Sequence, residues 1–224
     1  RSREGVIRKY DHEVQGGTAI KPLTGVDQAA PANGAVIVPL DSLTLHGAEG
    51  VSPNPRGAAL SVGLAPLLGE RDPYLMAFAA VDEAFRNLVA MGADPDTVSL
   101  LDNFCWGNAN LPDRLGSLTR CAQGCYQAAL TYQAPFISGK DSLNNEYADE
   151  TGKRHAIPGT LVISALGIVP FVKQAISSAL TGIGNKLYLL GETREELGAS
   201  HFALLHSESG GILPAPPENP LAIL

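Results

Sequence analysis

Asp72-Pro73-Tyr74-Leu75-Met76-Ala77-Phe78-Ala79-Ala80-Val81-Asp82-Glu83-Ala84-Phe85-Arg86-Asn87-Leu88-Val89-Ala90-Met91-Gly92 decides the fold class. Asp72 is suited to cap a helix and Pro73 to occupy its first position, because proline's fixed φ fits there and its missing N–H is not needed. Tyr74 to Met91 then carries apolar residues at helical spacing until Gly92 stops it. Working outward, Thr97 to Leu101 reads as a strand, Leu115 to Ala134 as a second long helix, and Phe136-Ile137 as a short strand ending in Ser138-Gly139. Leu161 to Val169 is a further strand. Upstream, Ala35 to Pro39 and Ala58 to Val62 are apolar runs bounded by glycine and proline, joined by a turn-rich connection that includes Ser52 to Gly57. Long helices alternating with strands predict an α/β or α+β layer in which the helices cover one face of a sheet. Lys186 to Gly191 reads as one more strand and Glu192 to Leu197 as a short polar turn or helix; the change of character after Phe171 places a domain boundary near Lys173, with a proline-rich end from Pro214 to Leu224.

Of 224 residues, 45% are hydrophobic and 17% charged, and 16 Lys+Arg against 23 Asp+Glu leave a net charge of −7. An acidic globular composition argues against nucleic acid and anionic membrane as partners, both of which favour a basic surplus. The apolar stretch from Ile157 to Val172 is interrupted by Pro158, Gly159 and Pro170, and it falls short of the roughly 20 residues of a membrane helix. The start, Arg1-Ser2-Arg3-Glu4, shows no initiator Met and no apolar signal region, so the chain is expected to be cut from a longer one. Cys105, Cys121 and Cys125 are odd in number. No second pair completes a metal site around Cys121 and Cys125, so reduced, packed thiols of a cytoplasmic protein are expected. His12, His46, His155, His201 and His206 show no metal-binding spacing, and Asp11-His12-Glu13 is either a site or a solvated turn.

Three features carry candidate chemistry. Ser138-Gly139-Lys140-Asp141-Ser142-Leu143-Asn144-Asn145-Glu146 follows a strand. Glycine there lets a ligand approach the backbone, and Lys140 with a serine hydroxyl complements an anion; a polar capped loop is the alternative. The stretch is not a Walker A loop, since Ala134 and Asp141 occupy the places that pattern gives to Gly and Ser/Thr. Leu100-Leu101-Asp102-Asn103 ends a buried strand in an acid and an amide, suited either to a ligand beyond a carboxyl strand end or to an Asx turn. Glu83 and Asn87 lie four apart on one face of an otherwise apolar helix, suited to a hard cation such as Mg2+ or to a solvated stripe with Asp82 and Arg86.

Tyr10 to Gly16, Asp102 to Gly107, Pro112 to Leu118 and Ile137 to Glu146 occur in an order that resembles the synthetase subunits of phosphoribosylformylglycinamidine synthases, of the AIR-synthetase-like superfamily, over roughly residues 6 to 205. The resemblance implies an α/β (α+β) A domain over residues 1–173, with a mixed or antiparallel sheet covered by long helices, and the start of a truncated B domain over 174–224. Both would come from the second of two homologous halves. It implies an ATP-dependent C–N ligase of purine biosynthesis that converts formylglycinamide ribonucleotide (FGAR) and ammonia to the amidine (FGAM) through an iminophosphate. Its cofactors would be ATP, Mg2+ and ADP at an auxiliary site. Its partners would be FGAR, a glutaminase and the first half, with a homodimer formed by A domains closing a β-barrel. Asp102, Gly139 and Lys140 would meet ATP, and Ser142 would meet FGAR. Glu83 and Asn87, with Asp41 on a gapped match, would hold Mg2+ at the auxiliary site. Many relatives carry a magnesium-binding Asn where this chain has Lys140, so either Asp141 takes the metal or Lys140 meets phosphate. The family's catalytic histidine belongs to the absent first half, so none of the five here inherits its role and the isolated chain is not expected to complete the reaction. The competing reading is a non-catalytic scaffold stabilised by bound Mg-nucleotide. A stand-alone AIR synthetase or selenophosphate synthetase is a third reading; the latter is disfavoured because no glycine-rich N-terminal loop with a nucleophilic Cys or Lys is present.

Overall fold

The apolar runs and their glycine and proline boundaries become, in a computed structural model describing residues 2–43, 52–208, 210–216 and 220–222, five helices and ten strands. In chain order these are α1 (Glu4–Ile7), β1 (Thr18–Ile20), β2 (Leu23–Thr24), β3 (Ala30–Pro31), β4 (Gly34–Ile37), β5 (Gly57–Leu64), α2 (Pro66–Gly69), α3 (Pro73–Ala90), β6 (Ser99–Cys105), α4 (Pro112–Tyr132), β7 (Phe136–Ser142), β8 (Glu146–Ala148), β9 (Arg154–Ala156), β10 (Thr160–Val169) and α5 (His201–Leu205). His46 and part of the Pro214 to Leu224 stretch lie outside the described residues.

Asp72 accepts a hydrogen bond from the Tyr74 amide at 2.9 Å and Pro73 takes the first helical position, so α3 begins where its cap dictates. Its inward face, Met76, Ala77, Ala80, Val81, Ala84, Phe85 and Leu88, is fully buried where the helix packs on β5 and β10, in one core with Leu100 of β6 and Leu161, Ile163 and Ala165 of β10. α4 lies beside it through Cys121, Gly124, Cys125, Ala128 and Tyr132. Cys121 and Cys125 are free, buried thiols packed in the core; their mutual hydrogen bond and burial push the Cys121 thiol up. The Tyr132 hydroxyl donates to Asp82 from inside the core, and Arg86 pairs with the same carboxylate at 2.8 Å. The stripe of Asp82 and Arg86 is therefore internally satisfied.

Six strands form one sheet in the order β1-β4-β5-β10-β6-β7, antiparallel throughout except for the parallel pair β6 and β7. Mixed pairing with both long helices on one face is the expected α/β arrangement. Along β5, Ala59, Ser61 and Gly63 turn inward, while Leu60, Val62 and Leu64 stand 42%, 51% and 46% exposed on the opposite face. One face of the sheet is thus covered and the other is open and partly apolar.

Besides shifts of one to three residues at other element ends, three segments differ from expectation. β6 starts at Ser99, after a 3-10 turn over Pro95–Thr97, and runs on to Cys105. β7 continues through Ser142, because each residue from Ser138 to Ser142 finds a partner on β6. Polarity reads as a loop in sequence but is normal on an exposed edge strand. Lys186 to Gly191 forms no strand: its side chains are exposed and, among the described residues, no neighbouring strand pairs with it. No helix of the described residues is long and apolar enough to cross a membrane.

Candidate functional site

The parallel register of β6 and β7 sets Asp102 beside Gly139, Asn103 beside Lys140, Phe104 beside Asp141 and Cys105 beside Ser142. Side chains alternate along a strand, so these residues divide between the two faces of the sheet. Asp102 and Asp141 share the helix-covered side with Leu100, Phe104, Leu161 and Ile163. Lys140 and Ser142 share the open side, where the Lys140 ammonium donates to Ser142 Oγ.

Gly139 has a specific reason to be glycine. A Cβ built there would overlap Asp102 Oδ1, so the carboxylate rests directly on the backbone of the neighbouring strand. Burial, with a further contribution from Asp141, raises the Asp102 pKa against a lowering by its own backbone hydrogen bond. Burial and Asp141 thus make ionisation of this carboxylate less favourable than in water, and a cation arriving there would offset that. The sequence suggested that Asp102 and Gly139 close their strands; instead both sit within paired segments, each three residues before its strand ends.

Asp102 and Asp141 supply two carboxylates to one side of the sheet, a donor set that fits Mg2+ held by one or two carboxylates together with substrate phosphates. No group of three or more His, Cys, Asp or Glu gathers to hold a metal among the described residues. Asp141, not Lys140, faces the same side as Asp102.

Glu83 and Asn87 do share one face of α3, and both line a pocket of about 500 Å³ with Asn33, Gly34, Leu60, Val62 and Ser164. They already hold backbone groups. β4 begins opposite Ser61, leaving the outer edge of β5 unpaired from Val62 to Leu64. Glu83 Oε2 accepts from the Leu64 amide at 2.7 Å and Asn87 Nδ2 donates to the Val62 carbonyl at 3.3 Å. Asn33 Nδ2 in turn donates to Asn87 Oδ1 at 2.9 Å. Two helix side chains thereby replace a missing strand, which sequence spacing does not disclose. Asp41, on the 3-10 turn Leu40–Leu43, is not among the residues lining this pocket. Glu83→Ala is expected to cost about 1 kcal/mol, the net worth of one such hydrogen bond. Thermal denaturation in the absence of nucleotide would show it as a fall of about 2 to 4 °C.

The stretches from Asp102 and Ile137 also build a cluster that residue-by-residue reading passed over. Glu146 is buried, its side chain 2% exposed. Its Oε1 accepts from Arg114 and from the Asn108 amide at 2.8 Å, and its Oε2 accepts from Arg154 at 2.6 Å. Trp106, also buried, donates its amide to Ser142 O at 2.8 Å and its indole N–H to Ser117 Oγ at 3.0 Å. The only sequence signal was the density of unusual residues in these two stretches; the 32 residues separating Arg114 from Glu146 give no local spacing to read.

Beyond Glu146, Asp149 organises the β8/β9 hairpin. Hydrogen bonds from the Thr151 hydroxyl and then His155 bring its pKa down to about 2 from 3.8, and the Thr151 and Lys153 amides add to this. A lowered carboxylate stabilises the hairpin above its unfolded-state value, and that contribution is lost as pH falls through the folded value. Amide exchange at Thr151 and Lys153 is expected to accelerate as pH falls from 3.8 to about 2, beyond the intrinsic pH trend, and Asp149→Asn is expected to remove that excess. His155 lies 5.2 Å from Tyr147, ring stacked on ring, and serves this hairpin.

Residues 54–169 match the family described as AIR synthase related protein, N-terminal domain. Over 216 residues the chain is 33% identical to the phosphoribosylformylglycinamidine synthase subunit PurL of Methanocaldococcus jannaschii, covering 95% of this chain and 26% of that protein. The solved structure of Thermotoga maritima PurL complexed with ADP is similar with a TM-score of 0.54 at 26% identity, over 78% of this chain and 25% of that one. The structure of PurLQS from Thermotoga maritima gives a TM-score of 0.56 at 24% identity, over 78% and 25% of the two chains, and bears on the fold alone. The chain spans about a quarter of the length of the curated relatives it matches.

Proposed function

The chain belongs to the AIR synthase related family, and on that premise we propose that it is the ATP-binding A domain, with the start of the B domain after about Lys173, from the second half of a phosphoribosylformylglycinamidine synthase. The observation that carries the reading is the Asp102 carboxylate seated on Gly139 across the parallel pair β6 and β7. Asp102 and Gly139 receive ATP, and Asp141 joins Asp102 at the Mg2+ that accompanies the phosphates. Lys140 and Ser142, on the open side, receive anionic parts of ATP and FGAR. ATP phosphorylates the FGAR amide oxygen, ammonia attacks the resulting iminophosphate, and phosphate leaves. Negative charge builds on transferring oxygens, so fixed cations and backbone amides supply most of the rate. A glutaminase delivers the ammonia, and the first half supplies the catalytic histidine. The reaction is cytoplasmic, in keeping with reduced thiols.

The open face of the sheet, with Leu60, Val62 and Leu64 exposed, supports docking of the first half there, or of a second copy in its absence. The test is reconstitution with the first half, FGAR, ATP and ammonium: FGAM forms with the wild-type chain, and Ser142→Ala lowers turnover while the melting temperature holds. Absence of FGAM despite a folded complex would refute the reading.

A second reading has its own observation, the pocket lined by Glu83 and Asn87, where bound Mg·ADP would stabilise a scaffold. Because Glu83 also caps the β5 edge, Glu83→Ala destabilises the free chain in either case. The scaffold reading additionally requires an ADP-dependent rise in melting temperature that the substitution removes.

A further inference from the structure

We infer that Glu146 is a positioning residue that fixes Ser142 for substrate, acting through Arg114, Arg154 and the Trp106 loop; the substrate part of this rests on the function proposed above. Four segments meet at its carboxylate. Arg114 comes from the first turn of α4, Arg154 from β9, the Asn108 amide from the loop after β6, and Glu146 itself stands three residues beyond Leu143 at the start of β8. The next layer ties the same segments through the main chain. The Trp106 amide donates to Ser142 O at 2.8 Å, the Asn145 amide to Trp106 O at 2.9 Å, and the Ile157 amide to Asn145 O at 3.1 Å. Ser142 is therefore held at its carbonyl by a loop whose own position is set by Glu146 two residues on, at Asn108.

The loop packs closely at two glycines beside the cluster. A Cβ on Gly107 would stand 2.6 Å from Ala156 Cβ and 3.1 Å from Glu146 Oε1, and one on Gly159 would stand 2.5 Å from the Trp106 ring. A carboxylate buried to 2% between two arginines is an expensive device for mere stability, since well-packed apolar groups often serve as well. Its use here is geometric: two planar guanidinium groups and one amide fix both oxygens, and small displacements of substrate-contacting groups cost rate heavily.

The test uses Glu146→Gln, which keeps the shape and removes the charge. Trp106 is the only tryptophan in the chain, so its emission reports on the loop directly. Hydrogen exchange at the Trp106 and Asn145 amides is expected to rise about tenfold, the equivalent of losing one charge-assisted hydrogen bond, with Trp106 emission shifted to the red and α3 amides unchanged. In the reconstituted enzyme the FGAR KM is expected to rise about tenfold with the ATP KM unchanged. Arg154→Met, altering a side chain that is more than half exposed, should move the same amides in the same direction by a smaller factor and keeps the test alive if Glu146→Gln fails to fold. Unchanged Trp106 and Asn145 exchange, equal acceleration throughout α3, or FGAR and ATP constants that move together would overturn the proposal. A wild-type complex that binds no FGAR would sink the proposed function instead, and the exchange results would still decide whether Glu146 positions the loop.

Discussion

Gly63→Ala is expected to destabilise the chain by about 3 kcal/mol, near the top of the usual range for overpacking. α3 crosses β5 at this glycine with no side chain between them: an added Cβ would overlap Ala80 O and stand 2.9 Å from the Ala84 amide. Both are backbone atoms in the middle of a buried helix, so no side-chain rotation relieves the clash. The helix must move off the sheet, and with it Glu83 leaves the Leu64 amide. Urea denaturation of the two proteins checks the value; a loss below about 0.5 kcal/mol, typical of surface changes, would show that α3 does not sit this close.

The second large effect falls on function. At Gly139 the added methyl meets a side chain, the Asp102 carboxylate, which rotates away at little cost in stability because Gly139 lies on an exposed edge strand. Displacing that carboxylate by about 1 Å is expected to lower kcat/KM for ATP by about a hundredfold in the reconstituted enzyme. Asp102→Asn should match it within a factor of a few, and the pair together should add little, since both changes remove one charge from one place. Additive losses in the double variant would mean that Gly139 acts apart from Asp102.

Helices and the strands they cover were legible because their signals are local. Asp72, Pro73 and the apolar spacing to Met91 mark α3 to within a residue, and Leu161 to Val169 marks β10 nearly as well. Strand ends in the site were not. Ser138 to Ser142, Asp102 and Asn103 are polar because β7 is an edge strand and its partner carries the site, so residue type and strand pairing pull in opposite directions there. The division of Asp102 and Asp141 from Lys140 and Ser142 follows from a parallel register that no single segment records. Glu83 and Asn87 were correctly placed on one face, yet their hold on Val62 and Leu64 depends on where β4 begins. Lys186 to Gly191 has a strand's composition, but a strand needs a neighbour, and the described part of the chain provides none.

On the proposed function, nucleotide binds at Asp102 and Gly139 rather than at Glu83 and Asn87. A calorimetric titration with Mg·ADP on the wild-type chain, Asp102→Asn and Glu83→Ala tests it most directly. Saturable binding by the wild-type chain is expected, abolished by Asp102→Asn and retained by Glu83→Ala. Binding that survives Asp102→Asn and disappears in Glu83→Ala would contradict it and hand the nucleotide to the scaffold site.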